Sequence, residues 1–288
     1  MSAWRHAAAA SARLVSDRPE LWLPGALAWV ASIGWIPFVV AVVRAPSAAE
    51  LTFLGVRVVR SGAWPWNAVL IGAGIAAVIV LAIAATAAGN AVLIAMLERR
   101  RASAGDGWRL MVIDAVASVP AALALLVVLL AVVSVAPREF NAPDAAGGEL
   151  LRTALRLLPY LVLLALTAAG GAALASVAAR MVGRGTGVRP ALRAAPGLTL
   201  RPALAAHAVI GMTVAVLYVV LAALLLGVLW APIGAQLQAG GAIDVGTGLL
   251  LVGFVAIWLC VLLAGGALHA WSAATWSRLI AAEATGRT

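Results

Sequence analysis

Residues 67–97 read NAVLIGAGIAAVIVLAIAATAAGNAVLIAML, and nothing in that run carries a charge. A helix needs about 20 apolar residues to cross the hydrocarbon core of a bilayer, and this run exceeds that. In water the segment has no polar face to leave exposed; threaded through lipid it needs none. Strand-like alternation is missing, and within hydrocarbon a helix satisfies its own backbone hydrogen bonds. The fold turns on reading this segment as a membrane span.

Working outward from it, comparable apolar runs cover 21–43, 110–135, 150–180, 203–230 and 246–277. Several exceed the minimum, so they tilt or begin as an interfacial helix. Composition agrees: 64% of the 288 residues are hydrophobic, 11% are charged, and the mean hydropathy is +1.06. A soluble domain carries about 25% charged residues. The expectation is an all-α polytopic protein, a single integral membrane domain over 1–288. It would have about six spans arranged as three hairpins with short amphipathic interfacial helices. Arg5, Arg13 and Arg18 precede the first run, which invites a secretory-signal reading. A signal's apolar region is only about 7–15 residues, so the longer run 21–43 is read as a retained span.

All 20 basic residues are arginine, a pattern that codon bias in a GC-rich genome explains, and the net charge is +9. These arginines are scattered between apolar runs and form no basic domain, which argues against a nucleic-acid partner. Alternate connections divide them unevenly. One side takes Arg5, Arg13, Arg18, Arg99, Arg100, Arg101, Arg109, Arg180, Arg184, Arg189, Arg193, Arg201, Arg278 and Arg287, a total of 14. The other takes Arg44, Arg57, Arg60, Arg138, Arg152 and Arg156, a total of 6, and the connection 236–246 has none. The positive-inside rule then puts both termini in the cytoplasm and the chain in the cytoplasmic membrane. Arg99, Arg100, Arg101, Arg189 and Arg193 are the expected contacts for anionic lipid. A membrane-protein partner or a second copy of the chain is a further expected contact.

Trp22, Trp64, Trp66, Trp108, Trp230 and Trp276 fall near span ends, where indole prefers the headgroup level. Trp29, Trp35 and Trp258 lie deeper and read as packing residues. Cys260 sits within an apolar run, cannot form an intramolecular disulfide, and reads as a small buried hydrophobe.

The second halves of spans two, four and six align without gaps. They read Ala88-Gly89-Asn90-Ala91, Ala169-Gly170-Gly171-Ala172 and Ala264-Gly265-Gly266-Ala267. Arg18-Pro19-Glu20-Leu21, Val119-Pro120-Ala121 and Arg201-Pro202-Ala203-Leu204 echo one another at the starts of spans one, three and five. Proline suits the first turn of a helix. The pattern suggests a surface helix followed by a proline-started hairpin, repeated over 1–101, 102–184 and 185–288. Such repeats are parallel, about an axis along the membrane normal. Chance alignment of alanine- and glycine-rich runs is the competing explanation.

Small residues let helices approach closely in lipid, so Gly89, Gly170, Gly171, Gly265 and Gly266, with Gly72 and Gly74, are read as helix-packing positions. The alternative for them is a helix break lining a substrate cavity. Ionisable groups within spans are functional suspects. Asn90, His207, His269 and Asp114 form the candidate intramembrane polar set. For Asp114 the ordinary reading is a solvated face of an interfacial helix. Each histidine is a candidate relay or ligand, with a neutral imidazole on a backbone carbonyl as the plainer use. Asn90 suits an interhelical hydrogen bond. Leu51 to Val59 with Trp64-Pro65-Trp66 reads as an outer interfacial segment, and Glu149, Arg152 and Arg156 as an amphipathic lead-in to span four. No catalytic residue, metal site or cofactor motif is found: a phosphate-binding loop lacks its lysine, and HExxH, paired cysteines and GxSxG are missing.

With Arg18-Pro19, Arg201-Pro202 and the three glycine segments as its best carriers, the chain resembles a set of bacterial six-helix membrane families. Among them is the membrane domain found beside glycerophosphodiester phosphodiesterases. The likeness covers nearly the whole chain and implies the fold; no catalytic residue carries over, since the phosphodiesterase barrel is missing. The function expected from the sequence is that of a non-catalytic scaffold, accessory subunit or lipid-interacting module. The alternative is a permease or permease subunit with a path between the repeats.

Overall fold

The computed structural model describes residues 2–43, 53, 56–140, 148–238 and 244–284, and among them every regular element is helical. An N-terminal helix, α1 (Ser2–Asp17), leads through a short turn, Pro19–Leu21, into α2 (Trp22–Trp29). A wide helical turn, Val30–Gly34, joins α2 to α3 (Ile36–Val42). Then come α4 (Trp66–Leu97), α5 (Ala104–Phe140) and α6 (Gly148–Gly183). A short α7 (Val188–Thr199) precedes α8 (Pro202–Gln238) and α9 (Val245–Ala284). At 1.5 Å per residue α4 is about 48 Å long and α9 about 60 Å, against a hydrocarbon core of roughly 30 Å. Five of these helices are long and apolar enough to span a bilayer, and up to six spans are counted when the bent pair α2 and α3 is taken as one. The protein is an all-α, polytopic membrane protein.

The first span departs from the expected straight helix. It bends by 51° between α2 and α3, and the causes are local. Val30–Gly34 widens to a π turn, and the Ser32 hydroxyl bonds back to the Ala28 carbonyl at 2.8 Å. Pro37, in the first turn of α3, has no N–H to continue the ladder. The Trp29 indole covers Gly34, lies against Gly265 and meets Tyr218 edge-on at 5.7 Å. The halves then take different partners: α2 packs on α4 and α9, while α3 packs on α8.

Contacts gather the arginine-bearing connections at one end of the bundle. Arg184, just past α6, donates to the Ser277 carbonyl of α9 at 2.8 Å and pairs with Glu98 at the end of α4, at 3.3 Å. Arg201, before α8, pairs with Glu283 near the end of α9. The main apolar core lies at this end, built from Ile94, Ile113, Val177, Leu204 and Leu279 of five different helices, with Ala191 and Ala195 of α7. A second cluster joins Val15, Leu21, Leu93 and Ala270. A third, at the opposite end, stacks Phe38, Trp230, Phe254 and Trp258 over Leu226 and Ile233. Away from these clusters the long helices present leucine and valine outward, Leu70 being 71% and Leu81 68% exposed. An apolar patch of that extent needs lipid as its solvent.

Several expectations are corrected. Asp114 does not lie on a separate interfacial helix, because α5 runs unbroken from Ala104 through Pro120. Gly89, Gly171, Gly265 and Gly266 are packing positions, but Gly170, Gly72 and Gly74 have nothing within 4 Å of where a Cβ would stand. The aligned glycines also serve different neighbours: Gly89 seats Ala28 of α2, Gly171 the Ala117 carbonyl of α5, and Gly266 the backbone of α2 rather than of α8. Cys260 is exposed on the outside of α9. Trp35, expected to pack, is 49% exposed at the bend, while Trp276, expected at an interface, is buried. The segment 51–59 is described only at 53 and 56–59; Arg44, Arg287, 239–243 and the side chains of Arg138, Glu149 and Arg152 lie outside the described residues.

Candidate functional site

A polar layer lies beneath the arginine-rich end, where α1, α8 and α9 meet. His207 stands in the second turn of α8 and is 1% exposed. The Trp4 indole N–H of α1 donates to its Nδ1 at 3.1 Å. Indole only donates, so Nδ1 carries no proton and the ring is the neutral Nε2–H tautomer. That Nε2–H faces the Ser272 carbonyl at 3.2 Å, with the Ser272 hydroxyl at 3.3 Å. Trp271 and Trp276 press edge-on against the imidazole, at 5.8 and 4.8 Å between ring centres. Trp271 itself donates to the Ala8 carbonyl of α1 at 3.0 Å. The chemistry follows from this arrangement. The only lone pair on the His207 ring is committed to Trp4, so the imidazole cannot take a proton from Ser272, and the two are not a base and its nucleophile.

His269 lies one turn beyond Gly265 on α9, and its Nε2 meets the Asn90 side-chain oxygen of α4 at 2.9 Å. The carboxamide accepts and the imidazole donates, which ties the second span to the sixth. Gly89 beside Asn90 and Gly265 before His269 both pack against α2, the first on Pro24 and Ala28 and the second on the Trp29 indole, so α2 is the shared neighbour of the two helices.

Arg180 of α6 is the central charge of this layer. It is 3% exposed and lies in the last turn of its helix, where free carbonyls favour a cation. One guanidinium nitrogen bonds the Ser176 carbonyl at 3.2 Å, and Nε has no partner. Asp114 of α5 turns a solvent-shielded Oδ2, also without a hydrogen bond, into the same region, and the two charges interact. A buried guanidinium without an opposing charge is strongly disfavoured, and Asp114 supplies that charge at a distance, with no direct ion pair between the two. The solvated reading of Asp114 is thereby corrected. Among the described residues no three His, Cys, Asp or Glu side chains converge as metal ligands would.

The surface of this end is cationic. Arg5, Arg13, Arg99, Arg101, Arg109, Arg189, Arg193 and Arg278 are exposed and make no ion pair among the described residues. Arg100 differs from its expected role: it turns inward onto Asp106 at 2.6 Å. Asp106 also accepts the Ser103 amide at 3.0 Å while the Ser103 hydroxyl accepts the Asp106 amide at 3.2 Å, a reciprocal cap that starts α5. Arg99 takes the left-handed conformation (φ 54°) that closes α4, and the Arg100 amide then returns to the Ala95 carbonyl at 2.9 Å. Arg189 and Arg193 stand one turn apart on the outer face of α7, opposite the buried Ala191 and Ala195.

Of the candidate polar set, Asn90 and His269 come together, His207 sits on the α1–α8–α9 junction, and Asp114 has a carboxylate oxygen shielded from water within electrostatic reach of Arg180. Sequence reasoning missed Arg180, which it grouped with the connection arginines, as well as Trp4 and Trp271. A usable signal existed for Arg180, since the small-residue run 169–183 continues past it to Gly183 before any turn residue. Compared with protein-family models, curated proteins and solved structures, the chain matches none. The likeness to six-helix membrane families therefore rests on the sequence pattern alone.

Proposed function

We propose that this is a non-catalytic integral protein of the cytoplasmic membrane, a scaffold or accessory subunit with both termini cytoplasmic. Its arginine-rich face engages anionic lipid. The observation that carries the reading is the cluster of unpaired arginines on α1, α7 and the α4–α5 turn, all at one end of the bundle. Juxtamembrane arginines near an anionic leaflet contribute about 1 kcal/mol each and fade with salt. Beneath that face both buried histidines are held by hydrogen bonds between helices, which suits a structural junction. The test is reconstitution with terminal tags: both are expected on the side carrying Arg99 and Arg189. Melting in detergent micelles is expected to rise with added phosphatidylglycerol and not with phosphatidylcholine. Tags on the opposite side, or equal response to both lipids, would reject the reading.

A second reading, a permease or permease subunit, is favoured by one feature. The first span breaks within the membrane against Gly265 and beside the Asn90–His269 pair, and discontinuous helices mark transporter binding sites. Vesicles containing the protein that leak small solutes, with loss of the leak in Asn90→Ala, would favour it over the scaffold.

A further inference from the structure

A groove of about 490 Å³ opens at the arginine-rich end between α4 and α5. Ala84, Ala88 and Val92 form one wall along a single face of α4, Trp108 and Met111 of α5 form the other, and the turn 102–104 forms the mouth. The wall is apolar, and from Ala84 to Val92 it runs about 12 Å along the helix axis. One leaflet of a hydrocarbon core is about 15 Å deep, so the groove has the depth of a lipid tail. Ala88 and Val92 are exposed along it, and Trp108, 65% exposed, stands beside its mouth as an indole at headgroup level does.

The charges around the mouth are what select the occupant. Arg101 precedes the mouth residue Ala102, Arg109 follows Trp108, and Arg99 closes the helix that carries the α4 wall. All three are exposed and unpaired. The nearby acids are already engaged: Asp106 is held by Arg100, and Glu98 by Arg184. Three arginines without counter-charge among the described residues thus lie within three residues, along the chain, of those that line the apolar slot.

The geometry points to a specific site for one anionic glycerophospholipid, its phosphate on Arg99, Arg101 and Arg109 and one acyl chain in the α4–α5 groove. This inference rests on the proposed anionic-lipid face and gives it a defined ligand position. A zwitterionic lipid fills the slot equally well but leaves the three guanidiniums uncompensated, so the headgroup charge sets selectivity.

Native mass spectrometry of the delipidated full chain, titrated with phosphatidylglycerol and with phosphatidylcholine, tests it. One phosphatidylglycerol is expected to bind more tightly than the rest and than any phosphatidylcholine. Replacing Arg99, Arg101 and Arg109 by Gln should weaken that adduct about a hundredfold, the combined effect of three cationic contacts. Ala88→Phe, which fills the groove, should weaken it about tenfold by excluding the chain. Arg189→Gln with Arg193→Gln should leave it in place. A phosphatidylglycerol bearing a photoreactive group in its acyl chain gives a readout that needs no variant: adducts are expected within 84–92 and 107–111. Labelling spread evenly over the lipid-facing helices overturns the site. So does Ala88→Phe that melts normally yet keeps the tight adduct. If the adduct survives Ala88→Phe but not loss of the three arginines, the groove fails and the arginine face stands. If it survives both, the proposed site fails while the arginine-rich face stands; no preference for phosphatidylglycerol over phosphatidylcholine in the unaltered protein fails the site and the lipid-binding face together.

Discussion

Arg180 shows how a single residue organises the interior. Its guanidinium is shielded from solvent, and Asp114, whose Oδ2 is shielded and without a hydrogen bond, interacts with it by charge through the low dielectric rather than by direct contact. Removing either alone leaves a buried charge uncompensated. Arg180→Met is expected to destabilise the protein by about 3–5 kcal/mol, and Arg180→Met with Asp114→Leu to recover most of that loss. Thermal unfolding in detergent of the two single variants and the double variant checks it; a double variant as unstable as the sum would mean that the charges act independently. From sequence, the cost of ionisable groups in lipid was enough to mark Asp114, His207 and His269. Arg180 escaped because an arginine near a span end ordinarily reaches the interface. Only the packing of α7 and α9 against the end of α6 keeps it inside.

At the scale of elements, glycine explains which helices touch. A Cβ at Gly266 would stand 2.6 Å from the Ala26 amide nitrogen, and one at Gly89 2.7 Å from that of Ala28. Neither backbone can yield as a side chain would. Gly266→Ala and Gly89→Ala are each expected to lower stability by about 1–3 kcal/mol through overpacking. Gly170→Ala meets open space and is expected to raise it by about 0.5–1 kcal/mol, since a helix interior prefers alanine. Melting temperatures of the three variants that moved in one direction would contradict the contacts. The sequence marked these glycines as one class; what separates them is which neighbour each faces, α2 for Gly89 and Gly266 and none for Gly170, and the bend after Gly34 sets the place of α2. It aims α2 at α9 and leaves α8 to α3.

The start of α9 offers a pH test at the same scale. Asp244 accepts the Thr247 amide and the Thr247 hydroxyl, each at 2.7 Å, and these bonds hold its carboxyl below the usual carboxylate range. Its contribution is therefore complete above the ordinary aspartate range and is lost as the pH falls through the lowered value. Asp244→Ala should fray the first turn at neutral pH, seen as faster hydrogen exchange at Thr247, with no effect at α9's far end. An unchanged Thr247 rate would show that the cap does not hold the turn.

Across the whole molecule, burial is uneven. Residues 66–81 of α4 and 155–170 of α6 include no buried position, whereas α9 buries nearly every residue from Ala273 to Ile280. The bundle is tight beneath the arginine-rich surface, while those two helices give their other halves to lipid. Hydrogen exchange in detergent should therefore be faster over 66–81 and 155–170 than over 273–280, because local opening is easiest where fewest contacts are lost. Uniform protection along α4 would contradict this distribution.

By itself, the sequence determined that the chain lives in lipid as a set of long helices and which connections carry the arginines. Those features follow from local composition: an uncharged run of sufficient length is stable across a bilayer whatever its neighbours do. Tertiary structure alone decided which aligned glycines bear contact, that Asn90 meets His269, that Trp4 holds the His207 tautomer, and that Arg180 turns inward to Asp114. Each of these joins residues far apart in the chain. The bend between α2 and α3 sets the partners, and no periodicity within a single helix encodes a neighbour's position.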